Sequence, residues 1–156
     1  MTELQIQVAD YKLFEYEKDF LEKELRRLGG TIKKGKIERN AIIIVDNLSL
    51  SEAKKLTHIK GIYQKDVFYP SLQATRESFN GKSARTQSRR YGPHGLHEYK
   101  GRFNPQMPRS LMLANFDSKS VILDPFMGSG TTLVESLDLG YRAICVELNS
   151  FAFLFA

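Results

Sequence analysis

Apolar and polar positions change period several times along the chain. Leu4-Gln5-Ile6-Gln7-Val8 alternates strictly, as a strand with one buried face does. Phe20, Leu21, Leu25 and Leu28 then share one helical face among Glu, Lys and Arg, and Gly29-Gly30 ends that helix. Thr31 to Ile37 reads as a strand, followed by a turn near Glu38-Arg39-Asn40 and a β-branched strand in Ala41-Ile42-Ile43-Ile44-Val45. Ser49 or Ser51 caps a helix carrying Ala53, Leu56 and Ile59; Gly61 stops it, and Ile62 to Tyr69 forms a last strand. The order β-α-β-β-α-β predicts a small ferredoxin-like α+β module over residues 1–70. That topology hosts many functions, and a plain dimerising scaffold is one of them.

Residues 71–91 have no clear period and are rich in Ser, Gln, Arg and Lys, which reads as a basic linker. Within it Lys82, Arg85, Arg89 and Arg90 are candidate nucleic-acid contacts, because clustered Arg and Lys neutralise backbone phosphates. A solvated connector is the plainer alternative. A second pattern occupies residues 92–156. Met107 to Ala114 is a short helix, and Ser120-Val121-Ile122-Leu123-Asp124 is a buried-type strand ending in an acid. Pro125 to Gly130 is a turn, and Thr131 to Leu139 is a helix with Leu133, Val134 and Leu137 on its apolar side. Gly140 closes it, and Tyr141 to Val146 is a strand ending at Glu147. This is a βαβ unit, whose short connections favour parallel strands and a right-handed crossover.

Composition adds less. With 42% apolar residues the 156-residue chain can bury a core, and its net charge of +5 mildly favours an acidic partner such as nucleic acid. The single cysteine, Cys145, excludes an intrachain disulfide and reads as a small core residue, in keeping with a reducing, cytoplasmic compartment. Met1 to Asp10 is polar and unlike a signal peptide, and no apolar run approaches the ~20 residues of a membrane span. His94 and His97 lack a clustered third ligand, so no metal site is expected. His58 reads as a helix-end cation facing the negative end of the dipole.

The informative stretch runs from Val121 to Thr132, a strand entering a Gly-rich turn that opens a helix. Glycines let a backbone approach a ligand closely, and the free N–H groups at a helix start meet polar groups. A phosphate-binding loop needs Lys then Ser or Thr after its second glycine, but Thr131-Thr132 follow Gly130. A dinucleotide site wants a third glycine where Leu133 stands. Asp124 repels phosphate and suits a ligand carrying positive charge. Glu147, roughly 20 residues on, is placed to accept hydrogen bonds from ribose hydroxyls.

Asp124-Pro125-Phe126-Met127-Gly128-Ser129-Gly130-Thr131-Thr132 resembles the Asp-Pro-Phe-x-Gly-Ser-Gly-Thr-Thr motif of amino-methyltransferases, the N6-adenine and N4-cytosine DNA enzymes and their tRNA guanine relatives. His94 to Gln106 resembles the segment preceding that motif in the DNA enzymes. The resemblance implies an α/β fold, here an incomplete Rossmann-like class I methyltransferase βαβ unit behind the small module, and S-adenosylmethionine as cofactor. It carries cofactor contact onto Phe103, Asn104, Pro105, Asp124, Phe126, Gly128, Ser129, Gly130 and Thr131, with Glu147 for the ribose.

The family's catalytic motif, Asp, Asn or Ser followed by Pro-Pro and an aromatic, is absent: the chain has no Pro-Pro. No catalytic residue is therefore assigned. Two parallel strands cannot bury both faces of a doubly wound sheet. The expectation is a split or truncated enzyme, inactive alone, as in a restriction-modification system. A complementary methyltransferase subunit, or self-association, would complete the fold. DNA is the expected nucleic acid, ahead of tRNA. A non-catalytic nucleic-acid-binding or regulatory remnant and a tRNA guanine methyltransferase relative are the rival readings.

Overall fold

A computed structural model describes residues 3–78, 91, 94, 103–154 and 156. Strands β1 (Leu4–Val8), β2 (Thr31–Lys34), β3 (Ile42–Asp46), β4 (Ile59–Gln64) and β5 (Val67–Pro70) form an antiparallel sheet in the order β2-β3-β1-β4-β5. Alternation places Leu4, Ile6, Val8, Ile43, Val45 and Ile62 on its buried face. There they meet Leu21 and Leu25 of helix α1 (Glu15–Arg27), and Leu56. The Glu17 carboxylate accepts the Phe14 N–H at 2.9 Å to start α1, and Gly30 N–H donates to the Leu25 carbonyl at 2.8 Å to end it. Helix α2 (Leu50–Ala53) is capped by Ser49, whose Oγ accepts the Glu52 N–H at 3.2 Å.

Several local expectations change. Ile59 and Gly61 lie in β4, not in a helix or at its end, because α2 stops at Ala53. The expected strand Ile62 to Tyr69 is broken into β4 and β5 by a turn at Lys65 and Asp66, both with positive φ (48° and 62°). Two left-handed residues give the hairpin twist that lets adjacent strands continue pairing, although Asn-Gly is the usual sequence for it. Within the stretch that shows no period, Leu72–Ser78 is helical (α3), started by Ser71 Oγ accepting the Ala74 N–H at 3.0 Å. His58 is not a helix-end cation, since α2 ends at Ala53. It is buried with φ 55°, its Nδ1 3.2 Å from the Tyr11 hydroxyl, and burial pulls its pKa down to about 4.

The remaining elements are α4 (Gln106–Asn115), β6 (Val121–Asp124), α5 (Thr131–Leu139), β7 (Arg142–Cys145) and α6 (Ser150–Leu154). β6 and β7 pair in parallel through α5. Ile122, Leu139 and Tyr141 pack on Met112 and Leu113 of α4, while Val121, Leu123 and Ile144 face outward and are exposed. On α5 the buried residues are Thr131, Glu135, Ser136 and Leu139, and Leu137 is exposed. The apolar stripe read from the sequence is therefore not the buried side, because this helix faces a polar junction. Cys145 is half-buried.

A second polar cluster links α1 and α4 beside the start of β4. α4 lies against α1, and Thr57 donates its backbone N–H to Glu24 Oε2 at 2.9 Å while its hydroxyl bonds Glu24 Oε1 and stands 2.7 Å from Ser110 Oγ. Glu24 is fully buried, and burial raises its pKa to about 7 despite those hydrogen bonds. No helix among the described residues is long and apolar enough to cross a membrane.

Candidate functional site

The site is assembled at the carboxyl ends of the parallel strands. Asp124, at the end of β6, accepts the Phe126 N–H on Oδ1 at 3.0 Å and so turns the chain sharply. Val146 N–H donates to the Asp124 carbonyl at 2.9 Å and Met127 N–H to the Val146 carbonyl at 3.0 Å, which stitches the turn to the chain leaving β7. Gly128 and Gly130 adopt φ of 57° and 82°, left-handed values that a side chain would strain. Gly130 is closely packed as well: a Cβ there would lie 2.9 Å from the Ala156 Cβ. Glu147 Oε2 accepts the Gly128 N–H at 2.7 Å, and its Oε1 accepts the Asn149 N–H at 2.7 Å.

These bonds bring Asp124, Gly128, Ser129, Gly130, Thr131 and Glu147 into one turn-and-strand-end cluster. Ser129 Oγ is buried there with no hydrogen-bond partner among the described residues. A buried hydroxyl in that state lacks a partner it needs, and a polar ligand group would satisfy it. Phe126 is 85% exposed and Phe103 59% exposed, and unsupported aromatic rings of this kind suit a ligand surface. Phe103, Met107, Leu111, Leu123, Asp124 and Thr132 line part of one cavity of about 250 Å³. That cavity joins the segment before α4 to the end of β6. Asn104 is half-buried, and its carbonyl accepts the Met107 N–H at 2.9 Å; Pro105 is buried at the start of α4. Two carboxylates, a spare hydroxyl and flanking aromatics fit a cofactor that carries cationic groups and a ribose.

Lys82, Arg85, Arg89, Arg90 and His97 lie outside the described residues. His94 is buried, with Nε2 2.8 Å from Glu135 Oε1.

Glu135 and Arg109 were not singled out by the sequence. Both are fully buried, and Arg109 Nη1 donates to Glu135 Oε2 at 2.8 Å and to Asp138 Oδ2 at 2.6 Å. Glu135 Oε1 also accepts the Tyr91 hydroxyl at 3.2 Å. Burial pushes the Glu135 carboxyl upward, but the His94 hydrogen bond and the Arg109 charge outweigh it and hold the pKa below the usual value. The group therefore anchors the helix that the Gly-rich turn opens. No sequence rule marks a core-facing Glu on a helix as paired until its Arg is placed opposite.

A Gly-rich turn between parallel strands, with Asp124 at the end of β6 and Glu147 just beyond β7, is the α/β arrangement present here. The chain belongs to the DNA methylase family, whose match covers residues 11–154. It is also similar to the type II methyltransferase M.MjaII of Methanocaldococcus jannaschii, with 43% identity over 63 residues. That similarity covers 40% of this chain and 12% of the relative's length.

Proposed function

We propose that this chain supplies the S-adenosylmethionine-binding part of a DNA amino-methyltransferase. The single observation that carries the reading is the convergence of Asp124, Glu147 and the Gly128–Gly130 turn at one end of a parallel strand pair. Membership of the DNA methylase family and the likeness to a type II methyltransferase support it. The β6-α5-β7 unit is read as the start of a Rossmann-like class I domain. The antiparallel sheet, whose order places β1 between β3 and β4, is read as a ferredoxin-like module with β5 added at its edge.

S-adenosylmethionine, when bound, supplies a sulfonium-activated methyl group for transfer to an exocyclic base amine. Asp124 holds a cationic part of the cofactor by charge-assisted hydrogen bonding, and Glu147 accepts from ribose hydroxyls with the lone pairs left free by Gly128 and Asn149. Ser129 Oγ gains its missing partner. Phe103, Asn104 and Pro105 close one side of the site, and Phe126, Gly130 and Thr131 the other. The basic residues Lys82, Arg85, Arg89 and Arg90 meet DNA phosphates. The Pro-Pro-aromatic motif that orients the base lies outside residues 1–156, and the enzyme works in the cytoplasm.

Equilibrium dialysis of the full chain with labelled S-adenosylmethionine tests this reading. Asp124→Asn and Glu147→Gln are each expected to weaken binding by roughly tenfold, the scale of a lost charge-assisted hydrogen bond. Absence of binding by the unsubstituted chain overturns the cofactor site. Binding unchanged by both substitutions overturns the residue assignment.

A further inference from the structure

We propose that the open face of the five-stranded sheet is a platform for single-stranded nucleic acid, with Tyr63 and Phe68 stacking on bases. This is a second site, on the opposite side of the antiparallel sheet from α1. It takes from the proposed function only the kind of polymer.

The register builds one row of side chains across all five strands. Lys34 stands opposite Ile44, Ile44 opposite Gln5, Gln5 opposite Tyr63, and Tyr63 opposite Phe68. Their neighbours along the strands, Leu4, Ile6, Ile43, Val45 and Ile62, are the buried residues under the helices, so this row faces away from the core. No element among the described residues covers it: Gln5, Lys34 and Phe68 are exposed, and Ile44 and Tyr63 half-buried. The two rings are tilted by 53° with centroids 4.9 Å apart. Gly61, in the next row, makes room for the Phe68 ring, because a Cβ there would collide with its Cζ and Cε2. The ring thus lies over the backbone of β4, with 38% of the residue left to solvent.

The rest of the face favours nucleic acid over a protein partner. Gln5 and Gln7 present amides that can meet base edges, and Gln7 Nε2 reaches Asn40 Oδ1 at 3.0 Å on the exposed side. The charged residues within the strands are Lys33, Lys34, Lys60 and Asp46. Lys33 pairs with Asp46 at 3.2 Å and Lys60 with Asp10 at 3.7 Å, which leaves Lys34 with no ion pair among the described residues. Aromatic faces on β4 and β5 and an unneutralised lysine on β2, about 14–19 Å away along the same row by strand spacing, complement a run of bases joined by phosphates, and stacking requires bases that are not already paired. A duplex buries those base faces.

Fluorescence anisotropy with a labelled single-stranded oligonucleotide of about 12 nucleotides tests the proposal, run on the full chain without S-adenosylmethionine. DNA and RNA versions are measured separately, with a duplex of the same length as control. Single strands are expected to bind more tightly than the duplex. Y63L/F68L is expected to weaken single-strand binding by roughly tenfold or more while the salt dependence stays the same, since phosphate contacts remain. K34Q is expected to reduce the salt slope by about one. Y63L alone keeps the test valid if loss of the Phe68 ring unfolds the hairpin, as far-UV circular dichroism would reveal. Three outcomes overturn the proposal: no preference for single strands, binding unchanged by Y63L and by Y63L/F68L, or a dimer in sedimentation that Y63L/F68L dissociates. Parallel dialysis with S-adenosylmethionine separates this failure from failure of the cofactor site.

Discussion

Glu24 and His58 show how two buried side chains of ordinary type can oppose one another. Burial lifts Glu24 from 4.5 to about 7 and lowers His58 from 6.5 to about 4. Between about pH 4.5 and 7 the folded chain binds the Glu24 proton more tightly than the unfolded chain, so stability from this group falls as pH rises through that window. Between about pH 4 and 6.5 the unfolded chain holds the His58 proton more tightly, so stability rises with pH there. Each effect is on the order of 3 kcal/mol, and the windows overlap, so the intact chain should show little net pH dependence in their common range. Glu24→Gln should expose the His58 rise, and His58→Asn, which tolerates the positive φ, the Glu24 fall. Urea midpoints measured across pH 4 to 7 check both signs (buffers spanning the two windows). Equal slopes in both variants would sink the assignment.

At the scale of elements, the β4–β5 hairpin rests on Gly61. A side chain there would meet the Tyr69 carbonyl and the Phe68 ring, one of them rigid backbone, so the strands would have to part. Gly61→Ala should destabilise the chain by about 1–3 kcal/mol or more, the usual cost of overpacking, with urea denaturation as the measurement. A neutral substitution would mean the hairpin is loose in solution. The glycine is plain in the sequence, but its role is not: a Gly after an apolar helical stripe reads as a stop until the partner strand is seen beside it. The hairpin turn was equally hidden, because Lys65 and Asp66 are not the residues that usually signal two left-handed positions.

Across the whole molecule, polar groups join the parts. Arg109 on α4 holds Glu135 and Asp138 on α5 and also reaches the Lys55 carbonyl at 3.4 Å, beside the antiparallel sheet. Arg76 of α3 adds an ion pair with Asp138. Arg109→Met should cost about 3–5 kcal/mol, because Glu135 keeps its charge in a buried site after losing its main counter-ion. Adding Glu135→Leu to that variant should recover part of the loss, since an apolar pair needs no compensation. A double-mutant cycle by chemical denaturation measures the coupling, and strictly additive losses would show that the two side chains act independently.

The sequence by itself determined the short-range features of this protein. Alternation in Leu4–Val8, the Gly29-Gly30 stop, a serine cap at Ser49 or Ser51, and the strand-turn-helix at Asp124 to Leu139 all depend on neighbours a few residues apart, and local periodicity and chain stereochemistry report such relations. The Gly-rich turn and Glu147 were legible for the same reason, one as a motif and the other as a strand end at a set distance. Tertiary structure decided what depends on partners far along the chain. It turned Leu137 outward and Glu135 inward, joined Glu24 to Thr57 and Ser110, buried His58 as a neutral ring, and laid Phe68 over Gly61. In each case the deciding energy is the desolvation or steric cost at a contact, and that cost exists only once the two sides have been brought together.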